Sequence, residues 1–173
     1  MKSFLVIYST VDGHTKNISN TIASHLEGKF KVRTVSLNDV SREILLEHDK
    51  ILIGASIRYG KYRDSVFKLI KDNIDVLEEK TASFFSVNVV ARKNNKNRPG
   101  TNPYVIKFLK QTPWKPKYVG VFAGKVEYPK YGFFDKYIIR LIMWITKGPT
   151  DISKSYEFTD WESVEDFSRT ISM

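Results

Sequence analysis

Short apolar runs that end in small residues recur along this chain, separated by segments whose apolar residues return every three or four positions. Phe4-Leu5-Val6-Ile7-Tyr8 and Lys50-Ile51-Leu52-Ile53-Gly54-Ala55-Ser56 are the clearest runs. Neither alternates polar with apolar, so each reads as a strand buried on both faces, and such strands belong to sheets covered by helices on both sides. Val32 to Ser36, Ala82 to Val90 and Tyr118 to Gly124 supply three further strand patterns. Helical spacing lies between them: Ile18, Ile22 and Leu26; a short stretch from Arg42 to His48; Val66, Phe67, Ile70 and Ile74; Tyr104 to Gln111; and Trp161, Val164 and Phe167 behind a capping-box pattern at Thr159 to Glu162. This alternation predicts an α/β fold, a five-stranded parallel sheet with right-handed crossovers, in one domain over 1–173. Ligands in such sheets bind beyond the carboxyl ends of the strands, where the strand order reverses. Attention therefore falls on the loops after Tyr8, Ala55 and Val87.

The first loop, Ser9-Thr10-Val11-Asp12-Gly13-His14-Thr15, is crowded with hydroxyls and opens a helix. A helix start leaves backbone N–H groups free at its positive end, Thr10 and Thr15 add donors, and Gly13 can take φ > 0. That suits a phosphate, although an ordinary capped turn would look similar. No lysine-serine or lysine-threonine pair follows the strand, so a nucleoside-triphosphate loop is absent; with Gly13 alone, a dinucleotide loop is absent too. The loop resembles the S/T-x-T-G-x-T phosphate loop of flavodoxins, which holds a phosphate monoester, with Asp12 in place of the middle threonine. A hydrogen bond to a charged group contributes roughly 1.5–3 kcal/mol, so losing that one hydroxyl should weaken FMN without abolishing its binding. Asp12 also sets a carboxylate near the phosphate unless it turns away to cap the helix.

The other two loops fit a flavodoxin-like scheme. Ser56-Ile57-Arg58-Tyr59-Gly60 lies where flavodoxins place a residue against the isoalloxazine, with Tyr59 available to stack, although a surface tyrosine would look the same. Ser86-Val87-Asn88-Val89 would line the other side of the ring. The strings Gly54 to Gly60, Phe85 to Lys93, and Ala123-Gly124 through Tyr128-Pro129-Lys130-Tyr131 resemble the menaquinone-dependent protoporphyrinogen IX dehydrogenase family of bacterial haem biosynthesis. The likeness continues through Leu141-Ile142-Met143 and Thr159-Asp160-Trp161, which is to say over essentially the whole chain. It implies an FMN enzyme that oxidises protoporphyrinogen IX to protoporphyrin IX and passes the electrons to menaquinone or another membrane quinone. An electron-transfer flavodoxin shuttling between protein partners is the alternative. Such a shuttle is expected to be acidic when it serves basic partner surfaces, whereas this chain carries a formal net charge of +9.

That charge favours anionic partners. Cysteine is absent, which removes disulfides, thiolate catalysis and cysteine metal sites, and no metal site is expected. The first residues run straight into strand pattern, so no secretory leader is expected, and no run is long enough to span a bilayer. Two insertions break the alternation. Residues 91–103 carry Arg92, Lys93, Lys96 and Arg98 and no acid, which with Arg58 makes them candidates for substrate propionates or, more simply, a solvated basic loop. No nucleic-acid motif accompanies them. Residues 126–150 contain an apolar helical stretch from Phe133 to Ile145. At about 14 residues it would be roughly 21 Å long, short of the roughly 30 Å hydrocarbon core. Lys136, Arg140 and Lys147 make a narrow cationic stripe on it, and Phe133, Phe134, Ile138, Ile142, Trp144 and Ile145 are candidates for contact with an anionic membrane surface. Packing in the protein's own core or in a homo-oligomer is the competing reading. On the membrane reading the protein sits peripherally on the cytoplasmic face of the cell membrane. No side chain is assignable as a catalytic acid or base. His14 reads as a polar loop residue, and His25 and His48 as helix-surface residues.

Overall fold

The computed structural model describes residues 1–173. Its central sheet contains β1 (Ser3–Ser9), β2 (Lys31–Ser36), β3 (Lys50–Ser56), β4 (Thr81–Val87) and β5 (Val119–Phe122), in the order β2-β1-β3-β4-β5 with every pair parallel. The chain steps from β1 to one side and then returns past it to β3, so the order reverses between β1 and β3. Helices α1 (His14–Leu26) and α7 (Trp161–Ser172) cover one face; α2 (Arg42–Leu46), α3 (Asp64–Asp72), α4 (Ile74–Glu79) and α5 (Pro103–Gln111) belong to the other. Successive residues of β1 serve opposite layers. Phe4 and Val6 join Ile18, Ile22, Leu26, Phe85 and Val164, while Leu5 and Ile7 join Ile53, Val66, Ile70, Phe84, Phe108 and Trp114. That division is why the run is apolar at every position.

Gly54, beside Tyr8 in the register, marks a close approach within the sheet. A Cβ there would lie 2.1 Å from the ring of Phe85, so the glycine makes room for the aromatic.

Several boundaries differ from the sequence reading. The fourth strand stops at Val87, because the Asn88 side chain accepts from Ala91 N and turns the chain into a short 3-10 segment, Val89–Arg92. Ile74 does not extend the preceding helix. Asn73 breaks the run, its side-chain amide donating to Leu69 O, and Ile74 opens α4. Asp160, rather than Thr159, caps α7 by accepting from Glu162 N and Ser163 N. His48 is buried, with Nδ1 2.7 Å from Ile44 O, because the chain folds over it on entering β3. A small antiparallel pair, β6 (Lys125–Glu127) with β7 (Ser155–Glu157), was not foreseen; it frames α6 (Phe133–Ile145). The 13 residues of α6 match the expected helical stretch. No helix is long and apolar enough to cross a membrane.

Candidate active-site cleft

An open cleft, about 900 Å3 counting its solvent-filled mouth, lies at the carboxyl ends of β1, β3 and β4, beside the point where the strand order reverses. Thr10, Val11, Asp12, His14 and Thr15 form one wall, and Ser56, Ile57, Arg58, Tyr59 and Gly60 another. Val87, Asn88 and Val89 close the third side.

The first wall has the chemistry of an anion cradle. Gly13 takes φ 88° at the start of α1, a conformation that favours glycine, and its N–H donates to Thr10 Oγ1 at 2.9 Å. The amides of Val11 and Asp12 have no acceptor within the chain, and the first turn of α1 adds amides without intrahelical partners. Thr15 is 1% exposed, yet its hydroxyl bonds to nothing in the protein. These donors fit a phosphate monoester. Ser9 and Gly13 do not line the cleft; they shape the loop from behind. Asp12 neither caps the helix nor stands free: its Oδ2 lies 2.6 Å from Arg58 Nη1.

The second wall is a tight hairpin. Arg58 and Lys61 exchange backbone hydrogen bonds, and the two residues between them, Tyr59 (φ 50°) and Gly60 (φ 76°), both have positive φ. A tyrosine in this region is strained by about 1 kcal/mol or more, a cost met by the turn that sets its ring at the cleft. The Tyr59 hydroxyl donates to Asp135 at the start of α6. Arg58 lies between the rings of Tyr59 and Tyr131, at 5.4 and 5.0 Å, and its Nη2 approaches Asp135 at 3.6 Å.

The third loop departs from the sequence reading. Ser86 is fully buried and does not line the cleft. Its hydroxyl accepts from Tyr62 at 2.7 Å and from Asn88 Nδ2 at 3.0 Å. Asn88 in turn accepts from Asn102 Nδ2 at 3.0 Å, and Asn102 also donates to Lys96 O and caps α5. Burial pushes the Tyr62 phenol well above its ordinary range. The network ties residues 91–103 to β4. Accordingly Arg92, Lys93, Lys96 and Arg98 do not reach the cleft. Arg92 is engaged elsewhere, donating to Val89 O at 2.9 Å and to Thr146 O at 2.8 Å.

The last part of the cleft comes from the second insertion. Ile139, Ile142 and Met143 of α6 line it together with Tyr131, Lys125 and Glu127, and Tyr104 adds an aromatic edge from α5. None of these was expected in the cleft; Ile142 was a candidate for membrane contact, and here it turns in part toward the cleft. The opposite face of α6 is bare: Phe133, Phe134, Ile138, Trp144 and Ile145 are all exposed, Phe134 at 78% and Trp144 at 70%. His14 is buried beside Trp161, with Nε2 2.6 Å from Thr159 Oγ1, and Thr159 donates to Ala123 O. Burial lowers its pKa, opposed in part by Glu157.

Residues 5–153 match the flavodoxin domain family. Over 169 residues the chain is 38% identical to protoporphyrinogen IX dehydrogenase (quinone) of Escherichia coli (strain K12), covering 97% of this chain and 93% of that protein. It is 45% identical over 166 residues to the Leishmania major protein of the same name, covering 95% of this chain and 72% of the relative. The chain belongs to the protoporphyrinogen IX dehydrogenase (quinone) family. Its fold is that of flavodoxins. The two-electron reduced Megasphaera elsdenii flavodoxin superposes with a TM-score of 0.54 at 16% identity, covering 68% of this chain and 84% of that one. Flavodoxin 1 of Bacillus cereus gives 0.53 at 14% identity, covering 98% and 96%. The wall contributed by α6, together with Tyr104, Lys125, Glu127 and Tyr131, lies outside the three loops that this fold sets at the cleft.

Proposed function

We propose that this protein oxidises protoporphyrinogen IX to protoporphyrin IX with FMN bound in the cleft, and delivers the electrons to menaquinone or another membrane quinone. The observation that carries the reading is one continuous cleft with a phosphate cradle at one end and the apolar inner face of α6 at the other, in a chain of this family. Thr15 and the amides of the first loop would hold the phosphate of FMN, and Tyr59 and Val87 to Val89 would flank its ring. FMN, once bound, supplies acceptance of electrons from the reduced macrocycle and their release to the quinone. The protein binds, orients and shields: Ile139, Ile142 and Met143 present an apolar surface to the hydrophobic macrocycle of the substrate and exclude water from it.

The bare face of α6, with Lys136, Arg140 and Lys147 beside it, supports docking on an anionic membrane, where the quinone is dissolved. On this reading the protein works peripherally at the cytoplasmic face of the cell membrane. The protein reconstituted with FMN and given protoporphyrinogen IX should produce porphyrin fluorescence under anaerobic conditions only when a menaquinone analogue is present. Fluorescence that ignores the quinone, or never develops, would refute the assignment.

A further inference from the structure

The phosphate cradle contains a carboxylate, and a carboxylate beside a phosphate is repulsive. Asp12 lies beside Val11, whose amide belongs to the cradle, and lines the cleft. Its Oδ2 is held at 2.6 Å by Arg58 Nη1, from a loop 46 residues away. The Arg58 side chain is 19% exposed and fixed from several directions. Its backbone is locked in the hairpin with Lys61, its guanidinium lies between Tyr59 and Tyr131, and its other nitrogen approaches Asp135. It is therefore set in place by the fold before any ligand arrives.

We propose that Arg58 is a positioning residue for the cofactor: by pairing with Asp12 it draws the loop's one carboxylate aside and neutralises it, so that the anion site keeps its net attraction for the FMN phosphate. Arg58 acts through Asp12 and not by touching the phosphate. This also accounts for how a cradle with Asp12 in place of a hydroxyl residue remains suited to an anion. The inference rests on the FMN reading above.

The test compares two ligands that share a ring system and differ in the phosphate. Apo-protein is titrated with FMN and with riboflavin, following flavin fluorescence, for wild type, Arg58→Gln, Asp12→Asn and the double variant, each checked for folding by circular dichroism. Arg58→Gln should weaken FMN about tenfold or more, because a like-charge pair is left in a partly buried site, while riboflavin, which lacks the phosphate, loses several-fold less. The FMN loss should shrink at high salt. Asp12→Asn alone should bind FMN at least as tightly as wild type, and the double variant should return to within about threefold of wild type, since the two substitutions are directly coupled. A double variant as weak for FMN as Arg58→Gln would overturn the proposal by showing that Arg58 itself holds the phosphate. Equal losses for FMN and riboflavin would also overturn it, pointing to a collapsed hairpin. A wild-type protein that binds neither flavin would refute the cofactor reading itself, and the proposal with it.

Discussion

Ser19 sits on the inner face of α1, fully buried between Ile18 and Ile22, and its hydroxyl has no hydrogen-bond partner. A buried hydroxyl without a partner loses its hydration for nothing, so Ser19→Ala should raise stability by about 1 kcal/mol, read as a higher urea midpoint at unchanged slope. His14 gives a second residue-scale expectation. Burial lowers its folded pKa below the ordinary 6.5, so on acidification the unfolded chain takes up the proton first. Stability attributable to His14 is whole above pH 6.5 and falls as pH drops through that value toward the lower folded pKa. Urea midpoints of wild type should decline between pH 7 and 5 more steeply than those of His14→Gln, and parallel curves would show that the buried site tolerates the charge. At this scale the sequence is least informative. Asp12 could be read as a defect in a phosphate loop, but its partner lies 46 residues away, and no local pattern announces Arg58 as that partner. Ser86 looked like a cleft residue because it opens the segment that flavodoxins set beside the flavin ring; Tyr62 and Asn88, turned inward, claim its hydroxyl instead.

Elements whose signal is periodic were legible, and those whose existence depends on pairing were not. The buried runs fixed the five strands because only a doubly covered sheet hides residues on both faces. The three-residue strands β6 and β7 have no pattern of their own and form because the chain after Gly124 meets the chain before Phe158, whose N–H donates to Gly124 O. The basic insertion shows the same dependence. Its cations suggested a binding loop, whereas its structural role rests on Asn102, which caps α5, donates to Asn88 and reaches back to Lys96 O. Asn102→Ala should cost about 2–4 kcal/mol, the loss of a cap plus stranded buried partners, measured by thermal or urea unfolding. Asn102→Asp, which keeps the cap acceptor but not the donors, should fall between. The end of α6 is built as tightly: Gly148 N donates to Met143 O and Lys147 N to Trp144 O, with Lys147 in the left-handed region and Arg92 satisfying Thr146 O. The guanidinium that was a candidate for a substrate propionate therefore closes the end of α6.

Across the whole molecule, α6 has two apolar sides. One lines the cleft and the other faces out, and the formal charge of +9 favours an anionic surface for the outer side to meet. The structure also selects the residues for a test, since Ile139 and Ile142 belong partly to the cleft while Phe134 and Trp144 do not. Phe134→Asp with Trp144→Asp should reduce co-sedimentation with anionic liposomes about a hundredfold, from about 3 kcal/mol or more of lost apolar insertion. FMN binding should be unaffected. Sedimentation equal to wild type would remove the docking assignment and leave the outer face for another occupant.

With the outer face of α6 docked as proposed, one helix forms both the wall of the cleft and the membrane contact, and a lipid-dissolved quinone would have only about 10 Å, one helix diameter, to travel between bilayer and cleft. Catalysis on vesicles would then follow surface-dilution kinetics. At fixed total quinone, adding empty lipid should slow turnover, because the enzyme samples the mole fraction of quinone in the membrane and not its concentration in the tube.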